Sequence, residues 1–409
     1  MMTSRERVLA SIAHKQPDRV PVDLGGSTVT GISAIAYNNL KRALGLNVPT
    51  RVFDVIQQLA LVDETITDRF GVDVVDLNEV LLKEMEWYPV ILGDGSGGEY
   101  PSWYRPEEKA DGSFFVRNHR GEVMSRMTHN GTCFDQTLFP WEQGYPDDME
   151  TIGEAFKSIH WTSHSHTKYI DIGDQELRDR AQQLRASTDK AIVMSGGAKL
   201  LELGFFLRRM DNMLMDLLAD HKNLARMLDK LMELHMAGLE KKIRAVGDLV
   251  DVIRFGDDLG MTTGPFMELD LFRKFFKPRY KELCDYVKQH SNMKIFLHSC
   301  GSVRQYIPDL IEAGFDILNP VQTNCYGMDA GELKREFGRE ITFWGGGVDT
   351  ASVLPAGTPE TVRADVLKRC EILSKGGGFI FAPIHNILPE VPPENIIAAY
   401  EAVKEFNGQ

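Results

Sequence analysis

Eight short apolar runs punctuate this chain: RVPVDLGG (19–26), VDVVDLN (72–78), AIVMSGG (191–197), VDVIRFGDD (250–258), KIFLHSCG (294–301), FDILNPVQ (315–322), ITFWGGG (341–347) and GFIFAPIHN (378–386). Most stop at glycine, aspartate or asparagine, the punctuation of a strand feeding a loop. Runs this brief and apolar on both faces suit strands buried on both sides of a parallel sheet. Between them lie segments with apolar residues at three- and four-residue spacing, such as NNLKRALGL, LARMLDKLMELHMAGLEKKI, FMELDLFRKFFKPRYKELCDYVKQH and TVRADVLKRCEIL, which is the pattern of a helix packed on one face. Strand and helix alternating eight times predict an α/β fold, a (β/α)₈ TIM barrel, with residues 1–409 as one domain.

Two further features refine this reading. Thr3 and Glu6 have capping-box spacing, so RERVLASIAH is predicted to open as a helix that stops before Pro17. Between 80 and 150 the repeat is interrupted by alternating stretches and turn signals, among them Asp111-Gly112 and Asn130-Gly131. These predict small antiparallel hairpins inserted after the second strand, at the barrel mouth. There Trp103, Tyr104, Phe114 and Phe115 would either face a ligand or form a satellite apolar cluster.

Charge and cysteine usage exclude several classes. A net charge of −13 and no long unopposed basic run speak against a nucleic-acid partner. No stretch approaches the roughly 18 uninterrupted apolar residues of a membrane span, and the first residues carry charges where a signal peptide needs an apolar segment. A cytoplasmic protein is expected. The five cysteines, Cys133, Cys284, Cys300, Cys325 and Cys370, are odd in number and scattered, unlike a disulfide framework.

A barrel of this kind builds its active site at the carboxyl ends of its strands. Those ends supply Asp23, Asn78 with Glu79, Ser195, the pair Asp257 and Asp258, His298 and Cys300, Asn319 and Gln322, Asp349, and His385 with Asn386. His298 and Cys300 stand two apart, and the two-residue period of a strand sends both to one side. With a third protein ligand they would form an open zinc site. His385, ending the eighth strand, is the leading third ligand, and Cys325 in VQTNCYG competes with it. His160, His164 and His166 fall in a polar linker and read as solvated residues. One carboxylate of the pair Asp257 and Asp258 is expected to serve as general base or extra ligand, and its neighbour to cap the following helix.

Together RERVLASIAHKQPDRVPVDLGG, GPFMELDLFRKFFKPRYKEL, LHSCGSVRQYIPDLIEAGFDILNPVQ, WGGGVDT and HNILPEVPPENIIAAYEAV resemble the uroporphyrinogen decarboxylase superfamily. The resemblance implies the same barrel and two chemistries: metal-free tetrapyrrole decarboxylation, or zinc-dependent methyl transfer involving a corrinoid protein or coenzyme M. Decarboxylases carry an arginine-rich amino-terminal motif and an aspartate ending the second strand, whereas this chain has VPVDLGGSTVTG and Asn78. The methyltransferases bind zinc through an H-x-C pair after strand five and a cysteine after strand eight. His298 and Cys300 match the pair, and His385 replaces the third ligand.

The expected function is therefore a zinc-dependent methyltransferase, with zinc on His298, Cys300 and His385 and a methoxy compound as the methyl source. Asp257 and Gln322 are its expected catalytic residues, and Asp23, Asn78, Ser195, Asn319 and Asp349 its substrate-binding residues. A two-histidine, one-thiolate set leans toward oxygen over thiol substrates. No Asp-x-His-x-x-Gly cobalamin signature occurs in the sequence, so the corrinoid is expected on a separate partner protein. A homodimer stays open. The rival readings are a metal-free decarboxylase or lyase using His385 and Asp257, and a non-catalytic protein that binds a corrinoid or tetrapyrrole.

Overall fold

A computed structural model describes residues 2–78, 82, 85–129, 131–159 and 172–409. The turn at Asn130, Glu79 after the second strand, and the histidines of the linker 160–171 lie outside the described residues.

Seven of the eight apolar runs form one parallel sheet in sequence order. Its strands are Val74–Asp76, Ala191–Gly197, Val252–Gly256, Lys294–His298, Ile317–Asn319, Thr342–Trp344 and Phe379–Ile380. The first run makes only a bridge, because Pro21 has no amide proton to give to a ladder. Even so it closes the barrel. Phe381 N donates to Pro21 O at 2.8 Å, Asp23 N to Phe381 O at 2.8 Å and Asp73 N to Val22 O at 2.8 Å. The (β/α)₈ barrel is thus complete, its first position being residues 20–23.

The helices follow the apolar spacing. Ser4–Ile12 starts with the capping box of Thr3 and Glu6, and its Arg7 reaches under the barrel to Asp73 at 2.7 Å. The 26-residue helix His221–Val246 buries a stripe from Leu224 through Leu228 and Leu231 to Val246. The long pattern FMELDLFRKFFKPRYKELCDYVKQH is broken into Leu269–Phe275 and Lys277–His290. Pro278, in the first turn of the second helix, lacks the amide proton a continuous helix needs.

Between the second and third strands, Trp87–Ile91 pairs with Gly97–Pro101. A four-stranded antiparallel sheet follows, comprising Glu107–Glu108, Phe114–Arg117, Val123–Met127 and Asp135–Gln136. Gly112, at φ +77°, takes the left-handed turn between its first two strands. Tyr104 is 3% exposed and sits edge-on to Tyr100, Trp103 and Phe134. Of the two readings of these aromatics, the structure supports packing for Trp103 and Tyr104, since buried rings gain more from one another than from solvent.

Candidate functional site

Strand register brings the candidate ligands together. His298 ends the fifth strand and pairs with Gly256 on one side and Asn319 on the other. One candidate ligand atom from each of His298, Cys300 and His385 lies within 4.8 Å of the others. Cys300 Sγ is 3.4 Å from His298 Nε2, and the rings of His298 and His385 are 5.5 Å apart between centroids.

The tautomer of His298 follows from its neighbours. Asn319 Nδ2 donates to Trp344 O at 2.8 Å, which leaves its Oδ1 as the acceptor that faces His298 Nδ1 at 2.6 Å. His298 Nδ1 must therefore carry the proton, and the Nε2 lone pair points toward Cys300. Burial holds His298 down to about pKa 4. His385 is likewise held to about 4, by burial and then by the neighbouring His298. Both imidazoles are thus neutral at pH 7, the form that binds a metal. Burial and then Asp258 push the Cys300 thiol well up, so a bound cation is what would hold it as thiolate.

The loops around the cluster are packed backbone to backbone. A Cβ on Gly301, at φ +89°, would fall 2.3 Å from Gly260 C and O. Glycine at 301 lets the loop after Cys300 lie on the loop after Asp258. Gln322 Oε1 accepts from Gly301 N at 2.7 Å, and Asp258 Oδ1 accepts from Cys300 N at 2.8 Å.

A family model described as uroporphyrinogen decarboxylase matches residues 202–406. The chain belongs to the uroporphyrinogen decarboxylase family. A uroporphyrinogen decarboxylase of Pseudomonas fluorescens is 29% identical over 186 residues, 45% of this chain and 48% of that protein. The methylcobamide:CoM methyltransferase MtaA of Methanosarcina barkeri is 29% identical over 156 residues, 38% of this chain and 42% of that protein. The match spans about half the length of these curated relatives, or less. A solved methyltransferase from Methanosarcina mazei shares the fold, with a TM-score of 0.61 over 99% of both chains at 19% identity.

Several expectations for this member of the uroporphyrinogen decarboxylase family need correction. Asp257 is fully buried. Its carboxylate accepts from Leu200 N, Leu201 N and Glu202 N at 2.8–2.9 Å and from Tyr280 OH at 2.5 Å. Those four donors tie it to the start of helix Leu201–Arg208, which supports an anchoring role, while burial and then Glu202 push it up to about pKa 7. Its neighbour Asp258 is the one at the cluster, with Oδ1 3.7 Å from His298 Nε2.

Asn319 was expected on substrate, yet it is 0% exposed and orients His298. Asp349 spends its carboxylate on Ala351 N, Ser352 N and Ser352 Oγ, a local turn. Asp23 accepts from Gly26 N and Trp344 Nε1, and its burial pushes it up to about pKa 6. Each of the three is tied to protein partners, which supports a positioning role for it. Ser195 is buried, its Oγ facing Arg254 Nη2 at 3.3 Å. Asn78 N and Nδ2 donate to Asp76, while its buried Oδ1 has no partner among the described residues. Cys325 is buried but outside the three-ligand cluster.

The sequence reading passed over Asp76, Glu202 and Lys199. Asp76, at the end of the second strand, supplies an aspartate where Asn78 had suggested there was none; burial pushes it up to about pKa 6. Glu202 Oε1 accepts from Lys199 Nζ at 2.7 Å and its Oε2 from Asp258 N at 3.3 Å. The DVVDLN ending could have flagged Asp76. Glu202 lay inside a helical pattern and gave no local signal. Among the described residues no helix is long and apolar enough to cross a membrane.

Proposed function

We propose that this chain is a zinc-dependent methyltransferase that moves a methyl group between a small methoxy compound and a corrinoid carried by a separate protein. The observation that carries the reading is the convergence of His298, Cys300 and His385 within 4.8 Å, with His298 fixed in the tautomer that frees Nε2. Two neutral imidazoles and one thiol, partly open to solvent on the His385 and Cys300 side, fit the donor set and open position of catalytic zinc. Zinc bound there would supply Lewis acidity toward the oxygen from which the methyl group leaves.

The chain's own residues do the rest. Asn319 keeps the His298 proton on Nδ1 and so keeps the ring turned toward the cluster. Asp258 holds the Cys300 amide in place while Gln322 holds that of Gly301, so the two loops keep their spacing through a reaction. Asp258, with its side chain 36% exposed beside His298, is placed to orient a substrate at the mouth. The methyltransferase relative named for methylcobamide and the fold shared with a Methanosarcina mazei methyltransferase support this choice.

Metal-free decarboxylation is the second reading, favoured by the uroporphyrinogen decarboxylase relatives and by Asp76. Its expected acid–base pair of His385 and Asp257 is weakened because Asp257 is consumed by four protein donors. The deciding experiment is metal analysis of purified wild type and Cys300→Ser, combined with an assay of their demethylation of methoxylated compounds with a reduced corrinoid protein as methyl acceptor. Wild type lacking stoichiometric zinc, or failing to demethylate any such compound, overturns the proposal.

A further inference from the structure

One broad cleft is lined without the residues of the metal cluster. It has a volume of about 430 Å³ and is walled by the inserted hairpins on one side and by Ser33–Ile35 and Pro389 on the other. None of its lining residues belongs to the His298, Cys300 and His385 cluster. The walls are largely apolar and include Ile35, Tyr88, Leu92, Phe114 and Met127. Tyr88 is fixed in place, its OH donating to Tyr104 O at 2.7 Å and the Arg105 guanidinium lying 3.6 Å from its ring centre.

Gln58 forms a polar point in this wall. Its backbone sits at φ +54°, a left-handed conformation that a non-glycine residue keeps where its surroundings enforce it. Its Oε1 accepts from Tyr100 OH at 2.5 Å and its Nε2 donates to Val55 O. An amide has two hydrogens and two oxygen lone pairs, so one of each remains for a ligand. Among the described lining residues there is no lysine or arginine, and the titratable side chains besides the two tyrosines are Glu108 and His129. A carboxylate ligand would lose its hydration beside Glu108 with no lysine or arginine among the described lining residues to offset that.

We propose that this cleft binds an uncharged aromatic compound of one or two rings, packed against Tyr88 and Phe114 with a polar substituent turned to Gln58. Apolar cavities of about 150 Å³ hold benzene, so this volume has room for a substituted ring. The proposal rests on the chemistry of the cleft and does not depend on the metal reading.

The test is calorimetric titration of 1,2-dimethoxybenzene, with 3,4-dimethoxybenzoate as the charged counterpart, into wild type, Cys300→Ser, Val90→Trp and Phe114→Ala. Thermal melts would check that each variant folds. The expected result is saturable binding of the neutral compound to wild type and Cys300→Ser alike. Filling the cleft in Val90→Trp should abolish it, Phe114→Ala should weaken it about tenfold, and the benzoate should bind at least about tenfold more weakly. No saturable binding, equal binding of the benzoate, or binding lost in Cys300→Ser but kept in Val90→Trp would overturn the proposal. The last outcome would place the compound at the metal cluster instead, whereas loss of zinc in Cys300→Ser with binding intact separates this proposal from the metal reading.

Discussion

Asn319 accepts the Nδ1 proton of His298 at 2.6 Å while its own amide is committed to Trp344 O at 2.8 Å. One buried amide thus sets which imidazole nitrogen is available at the barrel mouth. Asn319→Ala should weaken zinc binding about 10- to 100-fold, the usual effect of removing a residue that orients a metal-binding histidine. It should also cost about 1–3 kcal/mol of stability through the unpaired groups left behind. A competitive chelator titration and a urea melt would read the two effects separately, and unchanged zinc affinity would refute the orienting role.

The third ligand position can be tested by exchange. His385→Cys should keep stoichiometric zinc, because thiolate and imidazole both suit that ion, while His385→Ala and Cys300→Ser should lose most of it. Elemental mass spectrometry of the purified proteins checks this. Full zinc occupancy in His385→Ala would move the site elsewhere.

The two adjacent aspartates should behave differently. Asp257→Ala strands three backbone donors and the Tyr280 hydroxyl, at about 1–3 kcal/mol for each donor that finds no water. It is expected to unfold the mouth or lower stability by at least about 3 kcal/mol. Asp258→Asn should leave stability within about 1 kcal/mol and instead reduce turnover. Denaturant melts paired with activity would show the crossover.

Gly301→Ala combines a φ of +89° with a Cβ 2.3 Å from the Gly260 backbone. Neither neighbour is a flexible side-chain end, so the loops bearing Cys300 and Asp258 must part. We expect a loss of more than about 2 kcal/mol together with loss of zinc. Zinc retained at wild-type affinity would show that the loops tolerate separation.

At the opposite end of the barrel, Asp18 is held down to about pKa 2 by its hydrogen bond to Arg7, at 2.7 Å. Its folded value lies below the ordinary 3.8, so its contribution is present above about pH 4 and is lost as pH falls toward 2. With the side chain 29% exposed, solvent screening reduces the contribution to about 1–2 kcal/mol. Asp18→Asn should cost that much at pH 7, and the gap from wild type should narrow as melts are taken from pH 4.5 to pH 3.

The barrel was legible in the amino-acid sequence because burial on both faces forces each strand to be an apolar run, and the covering helices must repeat every three to four residues. All eight runs became barrel positions, although the first, holding Pro21, pairs too weakly to form a strand. The His298 and Cys300 pair was legible for a similar local reason, since two-residue spacing at a strand end places both side chains together. What local pattern did not contain was the use of each polar group. Asp257 and Asp258 are indistinguishable in GDDLG, yet the amides that occupy Asp257 come from residues 55–57 positions earlier. The same holds for Asn319, which meets His298 across 21 residues, and for the cleft, whose walls come from separated parts of the chain. Periodicity specifies which face of an element is buried, whereas the direction of a polar side chain beyond the strand end depends on which distant donors reach it, and only the folded packing decides that.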